Sequence, residues 1–147
     1  MQIREDTGAG CPMTKDEILA YVPPAAQMLG REVIEIDQVN GGAVLRFRAL
    51  PEFLNRHGTV QGGLLCAMLD SSTALALYAV LPQESTALTA NLNVTFVKPA
   101  KLGIFTATSR LVTRDERNGE TTGELRDADG MLVATATARL RIVPRKD

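Results

Sequence analysis

Apolar and polar residues alternate along much of the second half of the chain, and this period of two predicts β-strands. From Leu88 to Val97, apolar residues occupy every second position, with Thr and Asn between them. Such alternation is typical of a strand with one face in the core. A similar strand is predicted from Met131 to Val143, where alanines fill much of the apolar face. A face of such small residues would let a helix lie close against the strand.

Turn signals containing glycine divide the remaining alternating segments into further strands. Asn-Gly and Asp-Gly readily adopt the positive φ angles that tight hairpin turns need. These pairs occur at Asn40-Gly41, Asn118-Gly119 and Asp129-Gly130. The strands predicted around them are Val33 to Asp37, Ala43 to Arg48, Ile104 to Thr113 and Thr121 to Arg126.

A long apolar run predicts a helix from about Gly62 to about Leu81, ended by Pro82. The run is apolar on every face, so the helix should be surrounded by protein. Its length approaches that of a minimal membrane span. However, it carries Asp70 near its centre, and a charge in lipid is costly. A helix buried within a soluble protein is therefore favoured.

The order of these elements predicts an α+β fold in one domain over residues 1–147. Residues 1–30 are predicted to form an N-terminal helical extension, because Thr14 and Glu17 have capping-box spacing and Pro23-Pro24 follows. One helix wrapped by a curved antiparallel sheet of about six strands fits the order. Such a sheet covers one side of its helix, and a second copy of the chain would cover the other.

Composition narrows the classes of partner and site. The chain has 16 basic and 17 acidic residues, and aromatic residues make up 4% of it. This balance gives no indication of a nucleic-acid or membrane partner. His57 is the only histidine, and Cys11 and Cys66 have no ligand or disulfide spacing, so neither a metal site nor a disulfide framework is expected. The N-terminus has no apolar signal segment, which favours a cytoplasmic location.

Two features of the sequence could take part in a chemical reaction. Gly62 and Gly63 lie where the long helix begins, so free backbone N–H groups and the positive end of the helix dipole meet there. That arrangement suits a carbonyl oxygen that gains negative charge, although the glycines could simply allow the loop to enter the helix. Asp70 is a carboxylate among apolar residues. It could share hydrogen bonds with the Ser and Thr residues beside it, or act as a base or nucleophile.

The spacing of these two features also predicts assembly. Asp70 follows Gly62 by eight residues, which is about 12 Å along a helix. The two groups of one chain therefore cannot both reach one carbonyl group. They could do so if two such helices ran antiparallel across a dimer axis.

The stretch from about Asn55 to Val143 resembles the hot-dog fold acyl-CoA thioesterases of the phenylacetate-degradation type. Several short motifs of that subgroup have matching spacings here. They are Asn55, Gly58, the pair Gly62-Gly63, Asp70, Pro99-Ala100, Gly103, and Asp129-Gly130 through Ala134. The resemblance implies a hot-dog fold in a homodimer or a dimer of dimers, with acyl-CoA as substrate and no separate cofactor.

The resemblance also implies roles for individual residues. Asp70 would be the catalytic base or nucleophile, and the Gly62 N–H would polarise the thioester carbonyl, with Gly63 beside it. Asn55 would orient water or the carbonyl, and Thr89 would place a hydroxyl near the carboxylate. Gln61 departs from the family pattern, which has His at this position, and Gln cannot hold a proton. His57, four residues earlier, could compensate or could simply face solvent.

Cations near the site could bind the phosphates of coenzyme A. The candidates are Lys98, Lys101 and Arg56, which could equally be ordinary surface charges. Hydrolysis of an acyl-CoA thioester is the leading hypothesis for function. The alternatives are another hot-dog acyl-thioester enzyme, such as a hydratase or dehydratase, and a non-catalytic acyl-CoA binding or sensing module.

Overall fold

The computed structural model describes residues 14–145, and these form one sheet with three helices. The helices are α1 (Lys15–Ala20), α2 (Pro24–Met28) and α3 (Gly62–Tyr78), and a short 3-10 turn spans Pro51–Phe53. The strands are β1 (Glu32–Asp37), β2 (Gly42–Ala49), β3 (Ser85–Phe96), β4 (Gly103–Arg114), β5 (Asn118–Arg126) and β6 (Leu132–Pro144). Cys11 lies outside the described residues.

The six strands form one antiparallel sheet in the order β1-β2-β4-β5-β6-β3. Helix α3 packs across one face of this sheet, and its buried Met68 and Leu69 meet the inward side chains of the central strands. The predicted α+β architecture of one long helix and about six curved strands is confirmed, and it is the hot-dog fold. β3 lies at one edge of the sheet and β1 at the other.

Small residues on the sheet allow α3 to lie close to it, as the alanine pattern of the last strand predicts. Ala134, Ala136 and Ala138 of β6 are all buried. On the neighbouring β5, Gly119 and Gly123 are also buried under the helix. A Cβ atom placed on Gly119 would lie 2.8 Å from a methyl carbon of Leu77, closer than two carbons can pack.

We expect Gly119→Ala to destabilise the protein by about 1–3 kcal/mol, the usual cost of adding a carbon to a packed core. The matched control is Gly63→Ala in α3, because a Cβ there meets nothing within 4 Å. It should be neutral or stabilising, since Ala favours helix over Gly. Urea unfolding of both variants measures the difference. Equal stabilities would show that the helix and strand are not in close contact at Gly119.

The turn predicted at Asn118-Gly119 is wrong. Both residues lie in β5, and the chain reverses over residues 115–117. The Asp115 carboxylate accepts hydrogen bonds from the backbone N–H groups of Arg117 and Asn118, at 2.8 and 2.9 Å. These bonds hold the pKa of Asp115 below its ordinary value. An Asp side chain thus closes the turn, and Gly119 is required by packing instead.

The helix boundaries also differ from those predicted. α3 ends at Tyr78, and Val80 and Leu81 continue in tighter turns by donating to the carbonyls of Leu77 and Tyr78. The predicted capping box of Thr14 and Glu17 is present at α1. Pro23-Pro24, predicted to end or bend the first helix, also begins α2, because proline suits the first position of a helix. No helix in the described part of the chain has the length and apolar character needed to span a bilayer.

Candidate active site

A β-bulge in β3 points Thr89 toward α3. Thr89 pairs with the buried Leu140 of β6, whereas Ala90 has no partner and Asn91 pairs with the exposed Arg139. Directly opposed residues of an antiparallel pair share a face of the sheet. The one extra residue therefore reverses the predicted alternation in the part of the strand before Ala90, whereas Leu92 and Val94 keep the predicted core side. As a result Leu88 is 60% exposed, and Thr89 lies on the helix side.

Thr89 is the side chain that holds Asp70. Its hydroxyl donates a hydrogen bond of 2.8 Å to the Asp70 carboxylate. Asp70 lies on the side of α3 that the sheet leaves partly exposed. The carboxylate is thus fixed in direction by one bond while its remaining lone pairs are left for other donors.

The polar residues that follow Asp70 are bonded elsewhere. Ser72 pairs with the hydroxyl of Ser109 at 2.9 Å, and Thr73 donates to the carbonyl of Leu69 at 2.7 Å. Ser71 accepts a bond of 3.1 Å from the Arg31 guanidinium. Within residues 14–145 these side chains do not satisfy the Asp70 carboxylate. The interpretation of Asp70 as one member of a shared polar spot is therefore not supported.

The start of α3 presents the two glycine N–H groups. The carbonyl of the N-cap residue Gln61 accepts from both Leu64 and Leu65, at 2.9 and 3.4 Å. Gly62 and Gly63 are the first two helical residues, so their N–H groups have no acceptor within the helix. A Cβ atom placed on Gly63 would meet nothing within 4 Å, whereas one placed on Gly62 would lie 3.1 Å from the ring of Phe96. The Gln61 side chain makes no capping hydrogen bond.

Asn55 organises the loop before α3. Its carboxamide oxygen accepts from the backbone N–H groups of His57 and Thr59, at 2.9 and 3.2 Å, and its nitrogen donates to the Thr59 hydroxyl. Gly58 completes this tight loop with a φ of 76°. The His57 residue itself is exposed. The roles of Asn55 and His57 toward water or a carbonyl stay predictions.

The two lysine candidates differ in their surroundings. The Lys98 ammonium lies 2.7 Å from the Asp127 carboxylate, and this hydrogen bond is the main cause that holds the pKa of Asp127 below its ordinary value. Lys101 is exposed on the loop before β4. Binding of the phosphates of coenzyme A by either lysine stays a prediction.

One chain does not bring the Gly62 amide and the Asp70 carboxylate together. Both belong to the continuous helix α3, eight residues apart, which is about 12 Å along its axis. The structure does join Asp70 to Thr89, which the resemblance implied. Arg31 and its bond to Ser71 were missed, because no local pattern relates the start of β1 to the middle of α3.

We expect Thr89→Val to lower the rate of a reaction that depends on Asp70 by about tenfold, which matches the worth of a hydrogen bond to a charged group. Valine keeps the shape of threonine but removes the donor. Thr89→Ser keeps the hydroxyl and is the matched control. Steady-state rates of the thioester cleavage that the resemblance implies compare the three proteins. A Val variant as fast as wild type would exclude this bond from the working site.

The comparison with known proteins assigns the family. The family profile of the thioesterase superfamily matches residues 57–134, which contain the start of α3, Asp70 and Thr89. The chain belongs to the thioesterase superfamily. A phenylacetic acid degradation-related protein of Ralstonia eutropha is 38% identical, with 86% of this chain and 97% of that chain covered and a TM-score of 0.81.

Two further relatives agree with this assignment. A protein of Saccharolobus solfataricus that is named an esterase is 27% identical over 131 residues, covering 89% of this chain and 91% of its own. The PaaI protein of the E. coli phenylacetic acid degradation operon has a TM-score of 0.75 at 24% identity, over 82% of this chain and 85% of that chain. At this identity the likeness shows the shared fold. The family match and the 38% identical relative from Ralstonia eutropha together match this member of the superfamily to the PaaI-like subgroup.

Proposed function

We propose that this thioesterase hydrolyses acyl-CoA thioesters to a carboxylic acid and free coenzyme A. The observation that carries the proposal is the Asp70 carboxylate, held by Thr89 on the partly exposed side of α3. A carboxylate fixed beside a space open to a ligand can take a proton from water or attack a carbonyl carbon itself. Membership of the superfamily supports thioester hydrolysis in general.

The reaction needs a base or nucleophile and a stabiliser of the oxyanion. With Asp70 as base, water adds to the carbonyl carbon while its proton passes to the carboxylate. With Asp70 as nucleophile, its carboxylate adds to the carbonyl carbon, loss of the thiolate leaves a mixed anhydride, and water then cleaves this anhydride to the acid and the free Asp70 carboxylate. In both routes the carbonyl oxygen gains negative charge near the Gly62 N–H. On either route, collapse of the first tetrahedral adduct breaks the C–S bond, and the thiolate of coenzyme A leaves and takes up a proton.

A second copy of the chain completes the proposed site. Among the described residues β3 pairs with β6 alone, so its outer edge keeps unpaired main-chain groups over 12 residues. Asp70, on the partly exposed side of α3, is hydrogen-bonded to Thr89 of this edge strand. A homodimer that covers both would place the Gly62 amide of one subunit near Asp70 of the other. Dimers could further pair into a dimer of dimers.

Two other functions use the same features. A non-catalytic acyl-CoA binding module would use the glycine N–H groups for the carbonyl, with turnover lost through Gln61. The retained bond between Asp70 and Thr89 favours catalysis over this alternative. A hydratase or dehydratase would act on the acyl chain and leave the thioester intact.

Release of free thiol from a panel of acyl-CoAs tests the proposal. The panel should include straight-chain, aromatic and α,β-unsaturated acyl groups. We expect thiol to appear in step with loss of the thioester. Binding without thiol release would favour the binding module, and consumption of the unsaturated thioester without thiol release would favour a hydratase.

A further inference from the structure

Four small polar residues, Asp70 to Thr73, follow one another at the middle of α3. Ser72 is fully buried, whereas Asp70 lies on the partly exposed side of the helix. Successive residues of an α-helix are about 100° apart around its axis, so Ser72 lies about 200° from Asp70. Ser72 therefore faces the sheet from nearly the opposite side of the helix to the proposed reaction site.

Ser72 forms a buried pair with Ser109 of β4. The Ser72 hydroxyl donates to the Ser109 hydroxyl at 2.9 Å, and the Ser109 hydroxyl donates to the Ser72 main-chain carbonyl at 2.7 Å. Both serines are buried, so water does not compete for these bonds. The second bond joins a side chain of the sheet directly to the backbone of the helix. Because hydrogen bonds weaken steeply away from their best geometry, this bond restrains both the position and the rotation of α3.

The sheet beneath this pair is a row of small residues. Ser109 pairs with Ala43 of β2 and with Gly123 of β5. Gly123 pairs in turn with Ala136 of β6. A Cβ atom on Gly123 would lie 3.1 Å from the methyl carbon of Thr73, so the helix runs close above the row. Interlocking side chains usually fix a helix on its partner, but small residues interlock little, and the serine pair adds a directional contact here.

A shift of this helical turn would move the Asp70 carboxylate. Ser72 and Asp70 belong to one continuous helix, so a rotation or slide at Ser72 carries Asp70 with it. The carboxylate accepts the Thr89 hydroxyl of β3 at 2.8 Å. Bonds between two oxygen atoms span about 2.5–3.0 Å, so a shift of about 0.5 Å would weaken this one.

We propose that Ser72 and Ser109 are positioning residues for the Asp70 carboxylate. The inference rests on the proposed function and adds two residues to its site. The serine pair sets the rotation and register of α3 on β4, and Thr89 then sets the direction of the carboxylate. Neither serine touches the substrate, because both are buried between helix and sheet. Two alanines would fill the same space but leave α3 free to shift over the small residues.

The double variant Ser72→Ala/Ser109→Ala separates positioning from stability. It leaves neither hydroxyl buried without its partner, and such paired removals are close to neutral for stability. We expect its Tm to stay within about 5 °C of wild type. We expect kcat for thiol release to fall about tenfold with KM little changed, since a displacement of about 1 Å can cost up to about a hundredfold.

The matched control for the double variant is Thr121→Val on β5. Thr121 is also buried, and its hydroxyl has no hydrogen-bond partner in the described part of the chain. The substitution therefore removes a buried hydroxyl from the same sheet without removing a bond to α3. This variant should keep the wild-type kcat.

A double-mutant cycle with Thr89→Val tests whether the serines act through the carboxylate. In that background Asp70 has already lost the bond that the serine pair aligns. The two alanines should then lower kcat by only about threefold or less, a clear departure from additivity. Ser109→Ala alone removes the bond to the Ser72 carbonyl and should show the same coupling to a smaller degree. A merely structural role would lower kcat by the same factor in both backgrounds.

The outcomes separate this inference from the proposed function. If wild type releases thiol and the double serine variant is equally fast, the inference is overturned while the thioesterase activity stands. The same holds if the serine substitutions cost the same factor in kcat with and without Thr89→Val. If wild type releases no thiol from any acyl-CoA of the panel, the proposed function falls, and this inference falls with it.

Discussion

Replacing Asp70 with asparagine is expected to lower kcat for thioester cleavage by at least about two orders of magnitude. Asparagine keeps the size of the side chain and can still accept the hydrogen bond from Thr89. It removes the negative charge, so the residue can neither take a proton from water nor attack a carbonyl carbon. Thiol release under saturating acyl-CoA measures the loss.

The matched control for this variant is Asp129→Asn. Asp129 is exposed in the hairpin turn between β5 and β6, where its substitution removes the same charge. This control should retain the wild-type rate. An Asp70→Asn variant with more than about a tenth of the wild-type kcat would contradict the assigned role of the carboxylate.

Replacing Gly62 with proline is expected to lower kcat by about a hundredfold to a thousandfold, the usual cost of losing one oxyanion donor. Proline has no N–H group, yet it is well tolerated as the first residue of a helix. The preceding Gln61 has a φ of −55° and a ψ of 129°, which is the extended backbone that proline requires before it. The helix should therefore start as before while the donor is lost.

Gly62→Ala provides the control for shape. Both substitutions add a Cβ atom against the Phe96 ring, 3.1 Å away, but alanine keeps the N–H group. The rate difference between the two variants isolates the contribution of the donor. If alanine and proline slow the reaction equally, the contact with Phe96 is responsible and the Gly62 amide is not an oxyanion donor.

The sequence predicted the parts of this protein that depend on local patterns. The alternation of apolar and polar residues predicted the strands, and the continuous apolar run predicted α3. Asp70 was a candidate site residue because its carboxylate is isolated within that run. Each of these signals follows from burial, because the polarity of a residue in the sequence indicates whether its side chain lies in the core. The fold could be predicted for the same reason, whereas the family was predicted from the resemblance of short spaced motifs such as Gly62-Gly63 and Asp70.

The parts that were missed depend on contacts between distant residues. The bulge at Ala90 reverses the faces of the part of β3 that precedes it, and nothing in the alternating residues marks where the extra residue falls. Gly119 was predicted to be in a turn, although it is conformationally unremarkable and needed only because Leu77 lies above it. Arg31 and Ser71 are 40 residues apart, so their bond depends on the packing of the folded chain.

In the proposed homodimer, each reaction site combines Asp70 of one subunit with the Gly62 amide of the other. Co-expression of the Asp70→Asn and Gly62→Pro chains, each inactive alone, tests this arrangement most directly. In a random mixture half of the dimers are mixed, and each mixed dimer holds one intact site, so about a quarter of the wild-type thiol release should return. Recovery at that level supports a shared site, and a mixture as inactive as its two parents would contradict it.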